Sequence, residues 1–214
     1  MFCLYHTVSR RQMQPLTAGE RKQMSYSFFA YLSRMKEIHR WALMRNTAQE
    51  SVQEHCHMTA VLAHALAVIR RDVLGKPADP DAAAAAALFH DAPEIFTGDM
   101  PTPVKYFNAE LRAAYAMAEE SAAARLLGTL PEPMRAAYEP LVRETSDQTE
   151  LVKAADKLSA YLKCLEELRG GNEEFRLAAR QTREKLKAMA MPEVDYFLRE
   201  FAPAFSLTLD ELED

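Results

Sequence analysis

The strongest constraint on the fold is a series of helix-start signals in a chain that lacks any long alternating run of β-branched residues. Residues 51–54 have the form of a capping box, in which Ser51 and Glu54 satisfy backbone N–H groups at a helix start. Asp79 stands directly before Pro80, a residue that suits the first position of a helix. Only six glycines occur in 214 residues, and alanine is abundant. Together these features predict an all-α fold.

The same signals predict where the helices begin and end. The capping box starts a helix that runs to about Asp72, and a first helix is expected near residues 25–38. The helix that opens at Pro80 is predicted to continue into His90 and Asp91. The remaining predicted helices are one capped by Asn108 and ending near Gly128, one with a box-like start at Asp147–Glu150 that ends at Gly170 and Gly171, and two more towards the C-terminus.

The segment 98–103 interrupts this helical pattern. It contains one glycine and two prolines in six residues, so we expect an ordered loop without helix. Loops of this kind often carry binding groups, so the segment is a candidate part of a functional site, and the alternative is a rigid proline-rich connector.

Length and composition indicate one domain over residues 24–214, preceded by an N-terminal extension over residues 1–23. The net charge is −5 and no block of lysines or arginines occurs, which argues against a nucleic acid polymer as partner. No apolar run approaches the roughly 20 residues that cross a bilayer, so no membrane association is expected. The three cysteines lack C-x-x-C spacing, which is typical of reduced thiols in a cytoplasmic protein.

Two histidines and two aspartates form a candidate metal site: His55, His90, Asp91 and Asp156. Imidazole nitrogen and carboxylate oxygen suit divalent ions such as Mn²⁺, Co²⁺ and Zn²⁺, and no thiolate is required. Glu94 follows His90 at i+4, so its carboxyl group is expected to border the same cavity.

Each of these residues also has a plain structural interpretation. His55 continues the apolar stripe of its helix, so it could be a hydrogen-bonded core histidine. His90 and Asp91 could form an exposed helix terminus. Asp156 lies at the margin of the apolar face of its helix and could be a solvated aspartate. The residues alone leave both interpretations open.

The order of these residues, H…HD…D, is the signature of the HD-domain phosphohydrolases, and the chain resembles the bacterial HD-domain 5′-deoxynucleotidases in particular. The resemblance extends over about residues 24–211. The segment before Met24 departs from it, because the family usually lacks such an extension. The segments that carry the resemblance are Phe28–Arg34, Arg40–Asn46, Ser51–His55, Thr97–Phe107 and Ala160–Leu168.

The resemblance implies a helical HD-domain bundle and assigns roles to individual residues. Glu94 resembles the family's catalytic carboxylate, which orients or deprotonates the attacking water. Arg40 resembles the arginine that orients the phosphate, and its alternative is a surface arginine beside Trp41. The implied cofactor is one divalent metal ion, either Co²⁺, Mn²⁺, Mg²⁺ or Zn²⁺, held by His55, His90, Asp91 and Asp156.

The same resemblance implies a sugar pocket lined by Trp41, whose bulk excludes a 2′-hydroxyl, although a lone tryptophan more often belongs to a core. An apolar wall discriminates weakly against one hydroxyl, so the selection could be partial. Asp99 is the expected acceptor for a sugar hydroxyl, and Lys105 is expected to add positive charge. The residues expected to border the substrate are Arg40, Trp41, His55, Asp91, Asp99, Met100, Pro101, Thr102 and Asp156.

The resulting hypothesis is a cytoplasmic, metal-dependent phosphatase that hydrolyses deoxyribonucleoside 5′-monophosphates to deoxynucleoside and inorganic phosphate. The resemblance further implies a homodimer. Two alternatives stay open. One is an HD hydrolase that acts on another nucleotide phosphate ester, and the other is a non-catalytic sensor that binds a nucleotide or a metal and regulates a partner.

Overall fold

The computed structural model describes residues 25–213, so the predicted extension over residues 1–23 lies outside the described part. Within that part the chain forms α-helices joined by turns and short 3₁₀ segments, with no β-strand, and the all-α prediction is confirmed. The helices are α1 Phe28–Leu32, α2 Val52–Val68, α3 Pro80–Ala87, α4 Glu94–Thr97, α5 Thr102–Lys105, α6 Ala109–Leu127, α7 Glu132–Val142, α8 Thr149–Arg169, α9 Arg176–Ala188 and α10 Pro192–Glu200.

Helix α2 begins at the predicted capping box. The Glu54 backbone N–H donates to Ser51 Oγ at 3.2 Å, and the Ser51 backbone N–H donates to Glu54 Oε2 at 2.7 Å. The α-helical hydrogen bonding ends at Val68, and a π-helical turn over Ile69–Val73 continues the winding. The predicted end near Asp72 is therefore reached by a wider turn.

The predicted first helix, over residues 25–38, is wrong in its length. Helix α1 is short, and a separate 3₁₀ turn follows at Met35–Glu37. Ile38 then adopts an extended conformation, and its carbonyl accepts a hydrogen bond from the Val52 N–H at 2.8 Å. The chain leaves the helix because this segment pairs with the residues that start α2.

The prediction that α3 continues into His90 and Asp91 is also wrong. Asp79 caps the helix as predicted, with its Oδ1 accepting from the Ala82 N–H at 3.0 Å, but α3 ends at Ala87. Pro93 follows closely and has no N–H to donate within a continuous helix. His90 and Asp91 therefore lie in turns between α3 and α4, where both side chains can face His55 of α2.

The two long downstream helices end where predicted. Asn108 caps α6 through a 2.7 Å hydrogen bond from the Leu111 N–H, and the helix ends before Gly128. Helix α8 ends before Gly170, but the predicted box-like start at Asp147 is wrong. Gln148 holds the cap position without a side-chain bond, and the Thr149 hydroxyl instead donates to the Glu144 and Ser146 carbonyls.

The segment 98–103 is only partly the non-helical loop that was predicted. Gly98 has a φ of 71°, a left-handed conformation that favours glycine, and it ends α4. Helix α5 then starts at Thr102, with Pro103 in its first turn, where the missing N–H leaves no helical bond unmade. The true loop is therefore limited to residues 98–101.

The main core forms where α2 packs between α3 and α8. Ala63 and Ala67 of α2 and Ala83 and Ala87 of α3 are fully buried, and their small side chains let the two helices approach closely. On the α8 side the core is filled by larger groups such as Leu158. A second apolar cluster lies under α1, α6 and α7.

No helix within residues 25–213 is long and apolar enough to span a membrane. Cys56 and Cys164 are buried free thiols, and Cys3 lies outside the described residues.

Candidate metal and nucleotide site

Three of the predicted ligands converge where α2 passes the turn after α3. His55, His90 and Asp91 each offer one ligand atom, and these atoms all lie within 4.8 Å of one another. Asp91 Oδ2 lies 3.2 Å from His90 Nε2 and 3.6 Å from His55 Nε2. Residues 35 positions apart in sequence are therefore assembled by the packing of two helices into one small cluster.

The orientation of His90 matches that of a metal ligand. Its Nδ1 lies 2.7 Å from the Ala87 carbonyl, which only accepts, so Nδ1 carries the proton. Its Nε2 is buried and has no hydrogen-bond donor among residues 25–213, since the nearby Asp91 Oδ2, 3.2 Å away, is itself an acceptor. A buried polar atom without a partner is costly unless something binds it, and neutral imidazole Nε2 is a common metal donor. The donors present therefore fit a divalent cation.

His55 is fully buried on the α2 face that meets α8. Its Nδ1 lies 3.3 Å from Ser159 Oγ, so its Nε2 is directed to the carboxylates. Asp156 of α8 places its Oδ1 3.2 Å from that Nε2. The Asp156 side chain is 36% exposed, which leaves it at the rim of the cluster.

The charges of these groups are strongly interdependent. Burial opposes ionisation of Asp91 and Asp156, but the nearby imidazoles outweigh it. The pKa of Asp91 is therefore held below its ordinary value, and that of Asp156 is lowered to about 2. Both aspartates are present as anions at neutral pH, which is the form that binds a cation.

Glu94 differs from both aspartates. It begins α4, and its Oε2 is buried without a hydrogen-bond partner among residues 25–213. Burial, together with the negative charges of Asp91 and Asp99, raises the pKa of Glu94 to about 9. A carboxyl group with such a pKa can hold a proton beside the cluster, and a cation placed there would favour its ionised form.

Arg40 and Trp41 lie next to the cluster, at the start of the loop over residues 40–50 that precedes α2. Arg40 Nη1 donates to Asp91 Oδ2 at 3.4 Å, which connects the guanidinium directly to the candidate ligands. The Arg40 side chain is 12% exposed, so it is not the surface arginine considered as its alternative. The Trp41 ring is partly buried and packs against Phe175 with ring centroids 5.3 Å apart.

The predicted nucleotide loop follows α4, the helix that Glu94 begins. Asp99, Met100 and Pro101 are partly buried, and Thr102 is exposed. Burial and the nearby Asp91 raise the pKa of Asp99, while the Arg40 charge opposes that rise, so Asp99 is within electrostatic range of the cluster. Lys105 donates to Glu119 of α6 at 2.9 Å, and its charge is therefore already paired.

One residue that the sequence analysis missed is central to this site. Glu50 Oε2 accepts hydrogen bonds from Arg40 Nε at 3.3 Å and from Trp41 Nε1 at 2.8 Å. Its Oε1 lies 3.8 Å from His55 Nδ1. The only sequence signal is its position directly before the capping box, which places it at the same helix end as His55.

The backbone is similar to those of solved HD-domain phosphohydrolases. One from Listeria innocua aligns with a TM-score of 0.74 and 25% identity, covering 87% of this chain and 92% of that one. A cyanophage S-2L HD phosphohydrolase, solved with dA and one catalytic Zn²⁺ ion, aligns with a TM-score of 0.53 and 20% identity, covering 81% and 95% of the two chains. The fold and the histidine–aspartate cluster define an HD-domain protein.

Sequence similarity assigns the chain to one family within this class of proteins. Residues 27–205 match the family described as 5′-deoxynucleotidase YfbR-like. A 5′-deoxynucleotidase from Erwinia tasmaniensis is 47% identical over 188 residues, covering 86% of this chain and 95% of the relative. The 5′-deoxynucleotidase YfbR of Escherichia coli is 46% identical over the same length, covering 86% and 94%. The chain belongs to the YfbR-like family of 5′-deoxynucleotidases, and the predicted resemblance is confirmed.

Proposed function

We propose that this protein is a metal-dependent 5′-deoxynucleotidase, which hydrolyses deoxyribonucleoside 5′-monophosphates to deoxynucleoside and inorganic phosphate. The observation that carries the proposal is the convergence of His55, His90 and Asp91 around an unpartnered His90 Nε2, in a chain of the YfbR-like family. Curated relatives at 47% identity bear that activity in their names.

The proposed cofactor is one divalent ion held by His55, His90, Asp91 and Asp156. When bound, such an ion supplies activation of water at neutral pH and neutralisation of phosphate charge. A Zn²⁺ ion accompanies the related cyanophage enzyme, and Co²⁺, Mn²⁺ and Mg²⁺ are the other candidates for this chain. Availability and geometry, rather than intrinsic affinity, decide between them in the cell.

Glu94 and Arg40 are the proposed catalytic residues. The unpartnered Oε2 of Glu94 is placed beside the cluster, where it can orient the attacking water and accept its proton. Arg40 presents its Nη groups on the same side, since Nη1 already reaches Asp91. A planar guanidinium can contact two phosphate oxygens at once and offset the charge that develops in the transition state.

The proposed sugar pocket lies between Trp41 and the segment 99–102. The indole would exclude a 2′-hydroxyl by its bulk, and Asp99 would accept a hydrogen bond from a sugar hydroxyl. Met100, Pro101 and Thr102 would border the nucleotide with Asp99. Because an apolar wall rejects a hydroxyl only weakly, we expect selection of the deoxy sugar to depend also on polar contacts.

We also propose that the enzyme acts in the cytoplasm as a homodimer, without a nucleic acid polymer or a membrane as partner. The net charge of −5 and the absence of a basic block support the small-molecule substrate.

The experiment that tests this function uses protein stripped by a chelator and resupplied separately with Co²⁺, Mn²⁺, Mg²⁺ or Zn²⁺. Phosphate release is measured from paired ribo- and deoxyribonucleoside 5′-monophosphates. Metal-dependent release from the deoxy partners alone is the expected result. Phosphate release from both the ribo- and the deoxyribonucleotides would support the phosphatase activity and refute the proposed selection of the sugar. No release with any metal would refute the proposed activity.

A further inference from the structure

We propose that Glu50 is a positioning residue, which holds Arg40 and Trp41 in place and so couples phosphate binding to selection of the sugar. The inference rests on the proposed function, because it concerns how the same site distinguishes its substrates. Glu50 also approaches His55, whose Nδ1 lies 3.8 Å from Glu50 Oε1, but the nitrogen of that ring directed to the candidate ligands is Nε2. Glu50 acts through the two side chains that it binds.

The first argument is that one carboxylate oxygen binds both side chains. Glu50 Oε2 accepts from Trp41 Nε1 at 2.8 Å and from Arg40 Nε at 3.3 Å. The Glu50 side chain is only 13% exposed, so water competes weakly for these bonds. Hydrogen bonds from a cation and from an indole to one partly buried carboxylate restrict both donors to one relative orientation.

The second argument is how Arg40 is oriented. Because Nε is bound to Glu50, the guanidinium is directed with its Nη groups to the candidate ligands, where Nη1 lies 3.4 Å from Asp91 Oδ2. The five N–H donors of arginine have a fixed geometry, so fixing one edge determines where the other edge points. Glu50 thereby leaves the Nη edge available to a phosphate.

The third argument is the backbone that carries these residues. Trp41 has a φ of 62°, a left-handed conformation that is strained for an aromatic residue and persists only where its surroundings hold it. The Arg40 N–H donates to the Glu50 carbonyl at 2.9 Å, which closes the loop over residues 40–50. The Glu50 side chain thus binds the indole at the base of a closed loop.

These contacts predict a specific defect when the carboxylate is lost. Glu50→Gln has nearly the same shape, but its neutral amide oxygen binds the guanidinium less strongly, and its NH₂ group cannot accept. Glu50→Ala removes both bonds. Arg40 and Trp41 would then sample other orientations, and a misplacement of about 1 Å costs roughly 100-fold in rate.

The test compares wild type, Glu50→Gln, Glu50→Ala and the matched control Glu37→Gln. Glu37 is exposed, and within residues 25–213 its carboxylate forms an ion pair with Lys36 alone, at 4.0 Å. For each protein, kcat and KM are measured with paired deoxy- and ribonucleotide monophosphates. Trp41 is the only tryptophan in the chain, so intrinsic emission reports directly on the indole that Glu50 binds.

We expect Glu50→Ala to lower kcat/KM for the deoxy substrate by about 10- to 100-fold, to reduce the deoxy-to-ribo ratio and to shift the tryptophan emission. Glu50→Gln should give a smaller change of the same kind, and Glu37→Gln none. Folding is checked by far-UV circular dichroism. A folded Glu50→Gln protein with wild-type emission and an unchanged deoxy-to-ribo ratio would overturn the proposal.

The emission measurement separates this proposal from the proposed function. If the wild-type protein releases no phosphate, the function fails, but an emission shift in both Glu50 variants would still support the binding of the indole by Glu50. If the wild type is active and the variants lose only thermal stability, with the sugar ratio intact, Glu50 is merely structural and the positioning role is refuted.

Discussion

At the scale of single residues, the candidate site contains carboxyl groups in two different environments. The imidazoles hold the pKa of Asp91 and Asp156 below its ordinary value, whereas burial and neighbouring negative charges raise that of Glu94 to about 9. Such a separation is how one site assigns different tasks to chemically identical groups. The aspartates are suited to hold a cation, and Glu94 is suited to exchange a proton.

Replacing Glu94 by glutamine tests this division. Glu94→Gln keeps the shape of the side chain but cannot accept a proton from water, so we expect kcat to fall by about 10²- to 10⁴-fold. Binding of a deoxynucleotide with the metal present should be nearly unchanged, because the proposed contacts to phosphate and sugar come from other residues. Steady-state kinetics and calorimetric titration measure the two effects.

Glu110→Gln is the matched control for that variant, since Glu110 is exposed in the first turn of α6 and is not one of the candidate ligands within residues 25–213. The control should retain wild-type kinetics. Because the expected loss is at least about 100-fold, a Glu94→Gln enzyme that keeps more than about a tenth of the wild-type kcat would contradict the catalytic role of Glu94.

At the scale of elements, the loop that carries Arg40, Trp41 and Glu50 is anchored to α8 by a buried carboxylate. Glu167 is 1% exposed and accepts from the Thr47 N–H at 2.9 Å, the Thr47 hydroxyl at 2.7 Å and Asn172 Nδ2 at 2.8 Å. Lys163 pairs with the same carboxylate and donates to the Ala48 carbonyl at 2.6 Å. These bonds connect a loop to a helix more than 100 residues away in sequence.

Loss of this charge should destabilise the protein in a pH-dependent way. Burial would raise the pKa of Glu167, but the hydrogen bonds from Lys163, Asn172 and Thr47 outweigh it and hold the pKa below its ordinary value of 4.5. A group with a lowered folded-state pKa stabilises the fold above its unfolded pKa, and this contribution is lost as the pH falls through the folded value. Leaving Lys163 buried without its partner adds a cost of about 3–5 kcal/mol.

We therefore expect Glu167→Gln to lower the free energy of unfolding at pH 7 by several kcal/mol, of the order of that cost. The deficit relative to wild type should shrink as the pH falls below 4.5. Urea unfolding at a series of pH values measures both effects. Glu184→Gln, an exposed change on α9, is the control. A deficit that is constant with pH would contradict the assignment of the stabilisation to the Glu167 charge.

The elements also show what the sequence alone could predict. Side-chain caps act within four residues, so Ser51, Asp79 and Asn108 correctly indicated three helix starts. Helix α7 was missed because Pro140 lies inside it, and it forms where tertiary packing of Val142 and its neighbours outweighs that local cost. Local sequence patterns therefore predicted where helices begin better than they predicted a helix that contains a proline.

The residues of the candidate site also differ in whether the sequence alone could predict their roles. His55 and Asp156 could be placed on helix faces from their spacing, and the H…HD…D order supplied the grouping. Glu50 could not be found in this way, because its role depends on contacts with Arg40 and Trp41 across a closed loop. Nor could the turn that carries His90 and Asp91 be distinguished from a helix end without the structure.

At the scale of the whole molecule, the candidate ligands come from three separate parts of the chain. His55 lies on α2, His90 and Asp91 lie in the turn after α3, and Asp156 lies on α8. These are the helices whose packing forms the main core. A cation bound by all of them would connect the same elements that the core holds together, so metal binding and global stability should be coupled.

Metal loading is therefore expected to raise the melting temperature. A ligand present at 100 times its Kd stabilises the folded state by about 2.7 kcal/mol, which corresponds to a shift of about 5–10 °C for a domain of this size. Differential scanning calorimetry of chelator-stripped protein, with and without Zn²⁺ or Mn²⁺, measures the shift.

The variant His90→Ala should remove most of this shift in melting temperature, because the unpartnered Nε2 is then absent. His57→Ala, an exposed change on the same helix as His55, should keep it, since His57 lies outside the ligand cluster within residues 25–213. A full shift in His90→Ala would show that the stabilising ion binds elsewhere. The loss of the shift in His90→Ala alone would connect that ion to the helices that form the core.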